Sequence, residues 1–162
     1  MRRKSKHKMK KRSKVIIDTN VISQGVGDRA KPQLDAVRIA DHKKVHVYTK
    51  EVDDELAAIK PKKDIRHIPS FFDNINRYRK KKRKMIVDSH SPPHEQLDLP
   101  ADKKDKRILY AAIKNKVNTI VTMDKNFKSK ANGHNGIKLI FPDEYVERQK
   151  NKRRRKRLIR KR

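Results

Sequence analysis

The chain has 162 residues, enough for one domain with a real core but not for two. It contains no cysteine, which excludes disulfides and thiolate metal sites, and no apolar run nears the ~20 residues that span a bilayer. Its 47 Lys and Arg against 19 Asp and Glu give a net charge of +28, a balance that points to a polyanionic partner.

That charge is unevenly placed. Residues 1–14 hold nine basic residues and no acid, residues 148–162 hold eleven and no acid, and the stretch between them has 27 basic residues against all 19 acids. The division is therefore a domain over 15–147 with a basic tail at either end. Runs of like charge cannot collapse, so both tails are expected to be extended or disordered until a polyanion neutralises them. Nucleic acid is that polyanion, bound in a salt-sensitive and sequence-blind way; solubility or an import address is the competing explanation. The N-terminal segment has charge but no apolar h-region, so a soluble, intracellular protein without a membrane partner is expected, cytoplasmic or, in a eukaryotic host, nuclear through KKKRK and RRRKR.

In chain order, Val15, Ile16 and Ile17 form a β-branched run that predicts a buried strand, with Asp18 at its carboxyl end and Thr19 and Asn20 beside it. Capping of the next helix is the alternative role for Asp18. Val21 to Gly27 predicts a short helix stopped by Gly25 and Gly27. Pro32 suits the first turn of a helix to about His42, with Leu34, Val37 and Ala40 or Ile39 inward. VHVY, 45–48, predicts a second strand, and Thr49 an N-cap for a helix carrying Val52, Leu56 and Ile59 up to Pro61. Pro69 to about Lys82 predicts a helix with Phe72, Ile75 and Tyr78 inward. A short strand over Met85 to Val87 and a loop from Ser89 to Pro100 follow. A strongly periodic helix from Asp102 to about Lys116, strands at 119–122 and 137–141, and a last helix from Pro142 into the basic tail complete the series. Strands alternating with helices imply a parallel sheet covered on both faces, a three-layer α/β/α sandwich.

Four acids fall at matching places in that scheme. Asp18 and Asp124 follow the first and third strands, at the sheet edge where open α/β folds bind ligands. Asp105 shares the inward stripe of Ile108, Leu109, Ala112 and Ile113, and a buried carboxylate needs a partner. Glu55 lies three after Val52 and four before Ile59, with Glu51 as its fallback, while Asp53 and Asp54 point more nearly to solvent. Asp102 is the capping candidate for the helix of Asp105. Four acids at one edge repel unless cations sit between them. Oxygen ligands without Cys suit Mg²⁺ or Mn²⁺, and the reaction class that fits is phosphodiester hydrolysis with Thr19, Asn20 and Thr122 in support.

IIDTNV, an acid in the helix after the second strand, and DKRILYAAI running into NTIVTMDKNF together resemble the PIN-domain nucleases, over roughly Val15 to Phe141. That resemblance implies a PIN-like fold and Mg²⁺- or Mn²⁺-dependent cleavage of RNA. It aligns Asp18, Glu55, Asp105 and Asp124 with the family's acids and Thr19 with its hydroxyl. Asn126 stands where many members carry a further acid, and the tails lie outside the minimal domain, suggesting a structured RNA or ribonucleoprotein partner. Toxin members of the family work with an antitoxin; nothing in this chain marks one. Two other classes stay open: a non-catalytic RNA-binding component on the same scaffold, and a DNA-directed nuclease. His90 and His94 are read as loop residues, the GVG at Gly25 as no nucleotide loop, and Phe71, Phe72, Tyr110 and Phe127 as core.

Overall fold

Pairing of three short apolar runs organises the chain. The computed structural model describes residues 13–60, 68–87 and 102–160. Strands β1 (Val15–Ile17), β2 (Thr119–Val121) and β3 (Lys138–Ile140) form a parallel sheet in the order β1-β2-β3, with Ile16 opposite Ile120 and Ile120 opposite Leu139. Parallel neighbours require crossovers, and helices supply them. These are α1 (Thr19–Ile22), α2 (Gln33–His42), α3 (Lys50–Ala57), α4 (Ile68–Lys82), α5 (Lys103–Lys114), α6 (Lys125–Ala131) and α7 (Pro142–Arg160).

Strand residues alternate between the two faces, and each face has its own apolar cluster. Val15, Ile17, Val121 and Ile140 pack with residues of α1, α2, α3, α4 and α7, among them Val37, Val52, Ile75 and Tyr145. Ile16, Ile120 and Leu139 pack on the other side with Ile108, Leu109 and Ala112 of α5 and Phe127 of α6. Both faces being apolar is why β1 reads as an unbroken hydrophobic run, and why β2 and β3 are apolar after their first residues, Thr119 and Lys138. The chain is therefore an α/β protein with its sheet covered on both faces.

Several local expectations are corrected. VHVY is not a full strand: Val15 donates to Val45 O and receives Val47 N–H at 2.9 and 2.8 Å, one bridge alongside β1, before Thr49 turns the chain into α3. Met85 ends a 3₁₀ turn, Arg83–Met85, and only Val87 bridges back, to Thr49. The short helix expected to stop at Gly25 and Gly27 does end at Gly27, but both glycines have a further role. They sit in a π-helical turn, Ser23–Gly27, where close packing requires them: a Cβ on Gly25 would lie 2.6 Å from Leu34 N, and one on Gly27 would meet the Phe71 ring. Accordingly Phe71 joins the core, and Phe72 stacks edge-on against it at 5.1 Å. The C-terminal basic run is not extended. Anchored by buried Pro142, Tyr145 and Val146, α7 continues as helix to Arg160, since Lys and Arg are good helix formers once a nucleus exists. The N-terminal tail to residue 12, the loop from Ser89, and His90 and His94 lie outside the described residues.

Candidate active site

Backbone pairing carried one residue past the strands builds the site. Asp18 N–H donates to Val121 O at 2.9 Å and Thr122 N–H to Ile140 O at 3.1 Å, which sets Asp18 and Thr122 side by side at the carboxyl edge. Asp18 is buried, and both its oxygens are engaged: Oδ1 accepts the Thr19 N–H at 2.7 Å, and Oδ2 accepts the Thr122 hydroxyl at 2.6 Å. That hydroxyl in turn accepts the Asp124 N–H at 3.0 Å, so one buried threonine ties the two strand-end acids together. Asp124 Oδ1 also caps α6, taking the N–H groups of Asn126 and Phe127 at 2.8 and 2.9 Å. Across the same edge, Asn20 Oδ1 accepts the Met123 N–H at 3.2 Å. Capping and site-building thus coincide in Asp18 and Asp124, because a strand end that opens a helix needs an acceptor at that position.

Two more acids arrive from helices on either side. Asp105 lies in the first turn of α5, behind the N-cap Asp102, whose carboxylate accepts the N–H groups of Lys104 and Asp105 at 2.9 Å each. Glu55 lies in α3, half-buried. Burial first, then the charges of Asp102, Asp124, Asp18 and Glu55, push the Asp105 carboxyl up to about 7. For Asp18, burial is again the largest cause, and Glu55 and Asp124 add to it. The hydrogen bonds from Thr122 and Thr19 oppose them, leaving it at about 6. Charges far apart in sequence thus meet here: those of Glu55 and Asp124 act on Asp18, and those of Asp124, Asp18 and Glu55 act on Asp105.

As they stand, no three His, Asp or Glu side chains among the described residues form a group that could hold a metal ion. The donor set nevertheless fits a hard cation. The carboxyls of Asp18 and Asp105 are held high by burial and neighbouring acids, and beside them the Thr19 hydroxyl oxygen is buried with no partner among the described residues. Mg²⁺ keeps several waters and takes only one or two carboxylates directly, so a closed protein cage is not required.

Two further residues shape the site. Asp102 contributes charge to Asp105 as well as a cap, which the Asp102 to Asp105 helical spacing signals. Gln33 donates to Gln24 Oε1 at 3.1 Å and lies 3.2 Å from Met123 Sδ, bracing the segment before Asp124 from α2; no sequence pattern marks it. One expectation is overturned. Asp53 does not face solvent but is buried, accepting the Tyr48 hydroxyl at 2.9 Å and Arg79 Nε at 2.9 Å, because α4 lays a guanidinium over it. Asp54 does face solvent, paired with Lys50 at 2.9 Å. A scan against protein-family models gave no match to this chain, and a search of curated proteins gave none either.

Proposed function

We propose that this chain is a metal-dependent endoribonuclease with a PIN-like three-layer fold. The observation that carries the reading is the shared field of Asp18, Glu55, Asp105 and Asp124 in a chain of net charge +28. Where basic residues are this abundant, acids left to repel one another at one edge of the sheet are costly unless they serve a cation. Asp18, Asp124, Asp105 and Glu55 would hold Mg²⁺ or Mn²⁺. When bound, such an ion lowers the pKa of a water and offsets the charge growing on a phosphoryl oxygen.

The chain's own side chains do the rest. Thr122 and the Thr19 N–H fix the Asp18 carboxylate in one orientation, leaving its remaining lone pairs directed away from them. The Thr19 hydroxyl can hold a water or a substrate oxygen, and Asn20 keeps the Met123 backbone, and so Asp124, in place. Lys and Arg hold the flanking phosphates and raise the local concentration of the polyanion. No covalent intermediate is involved.

A non-catalytic RNA-binding role on the same scaffold is the second reading, favoured by the helical basic extension of α7, which needs no acid for its adhesion. The test is digestion of labelled RNA and DNA at millimolar Mn²⁺ by the parent, Asp18→Asn and Asp124→Asn. Loss of RNA cleavage by at least ~100-fold in both variants, with binding within about twofold, is expected. Cleavage by Asp18→Asn at the parental rate rejects the assignment. Parental RNA binding without cleavage moves the protein to the second reading, and preferential cutting of DNA changes the substrate.

A further inference from the structure

At the edge opposite the acids, where the strands begin, the surface opens into a cavity of about 710 Å³. The starts of the sheet, Val15, Thr119 and Lys138, line it together with the turn after α2, and α7 forms a wall. Tyr145, Gln149, Lys152 and Lys156 recur at helical spacing, so the stripe that docks α7 on the core becomes cationic as the helix passes over the cavity. Lys14, Lys43, Lys138, Lys152, Arg153 and Lys156 converge there, and no carboxylate among the described residues lines the cavity. Lys43 donates to Gln149 Oε1, which joins the turn to the helix wall. Burial, and then the charges of Arg153, Lys152 and Lys156, lower the proton affinity of Lys43. Arg148, also in the lining, is paired with Glu144, but cations gathered in this number repel, and an anion relieves that repulsion.

We propose that this amino-edge cavity is a second nucleic-acid site, one that takes the phosphodiester backbone of a strand running past the strand starts and along α7. A concave groove with cations on facing walls suits a chain of phosphates, whereas a flat bilayer surface would meet the convex side of the helix. The site is separate from the acids and does not depend on cleavage. It binds through phosphates, so RNA and DNA strands share it.

The experiment is anisotropy with a fluorescein-labelled RNA of roughly 20 nucleotides, and with DNA of the same sequence, in EDTA and over a salt series. EDTA makes the result independent of catalysis, so an inactive protein still reports on the groove. Lys138→Gln, Lys152→Gln and Lys156→Gln are combined in one full-length variant. Lys150→Gln, Arg154→Gln and Arg157→Gln, turned away from the cavity on α7, form a control with the same change of charge. Equal thermal melts and circular dichroism show that both fold. The groove variant should bind both strands about tenfold more weakly, with the salt slope reduced by about 2, and the control less than about threefold. Equal losses in the two variants, or none in either, overturn the site in favour of diffuse attraction. Loss of binding to phosphatidylserine vesicles with RNA binding unchanged overturns it in favour of a membrane surface.

Discussion

Thr122 governs how Asp18 behaves. Its hydroxyl donates to the buried carboxylate and accepts from the Asp124 backbone, so removing it strands one group on each side. Thr122→Val should cost about 1–3 kcal/mol in urea unfolding at pH 8, with Thr122→Ser recovering most of it. Asp105 behaves in the opposite sense. Because its folded carboxyl is raised to about 7, the folded state binds the extra proton between the ordinary carboxylate range and that value. Stability from this group is therefore lost as pH rises through that window. Asp105→Asn should raise the melting temperature at pH 8 in EDTA by on the order of 2–4 °C while abolishing cleavage, and the gain should vanish near pH 4. A lower melting temperature for this variant at pH 8 would show that Asp105 is not held under repulsion.

Between elements, two features hold α2 and α4 in place. In the π-helical turn, the Cβ of Gly25→Ala would strike the Leu34 and Gln33 backbone, whereas that of Gly27→Ala meets the side chain of Phe71, which can swing. Gly25→Ala should cost about 1–3 kcal/mol by chemical denaturation, and Gly27→Ala less. The second is a buried polar tie: His46 Nδ1 lies 2.8 Å from Asp41 Oδ1, and Lys82 of α4 donates to the same oxygen. Burial would push Asp41 up, but the bonds and charges of His46 and Lys82 outweigh it and hold the carboxyl low. Burial also keeps His46 neutral by lowering its affinity for a proton, although Asp41 opposes this. Both shifts have the same sign. Stability falls as pH drops below about 6.5, where only the unfolded His46 gains a proton, and falls again as Asp41 protonates below the ordinary carboxylate range. Asp41→Asn leaves Lys82 buried without its counter-charge and should cost on the order of 3–5 kcal/mol at pH 7, read from urea melts. Neither tie was legible beforehand. VHVY reads as a strand because its residues favour one, yet beyond its single bridge to β1 its polar side chains are tied to Asp41 of α2 and Asp53 of α3, which periodicity cannot bring together.

For the whole molecule, charge is sorted by sheet edge: acids at the carboxyl ends of the strands, cations at their starts and along α7. A net charge of +28 strains the folded state through self-repulsion, and salt screens it. The melting temperature should rise between about 0.05 and 0.5 M NaCl, and the helical circular dichroism of the full chain should rise with it as α7 tightens. A flat or falling salt dependence would mean that the cations are already neutralised within the fold.

The hydrophobic runs, the caps at Thr49 and Asp102, and the placement of Asp18 and Asp124 after strands were determined by the sequence alone, because residue type and spacing act locally. The same holds for the α/β class, since strands alternating with helices leave few assemblies open. Only the tertiary structure decided that Glu55 and Asp105 share a field with Asp18, that Asp53 is buried under Arg79, and that the C-terminal basic run is a helix standing over the strand starts. Each of these depends on a partner distant in sequence, and a charge carries no mark in the chain of what it will face.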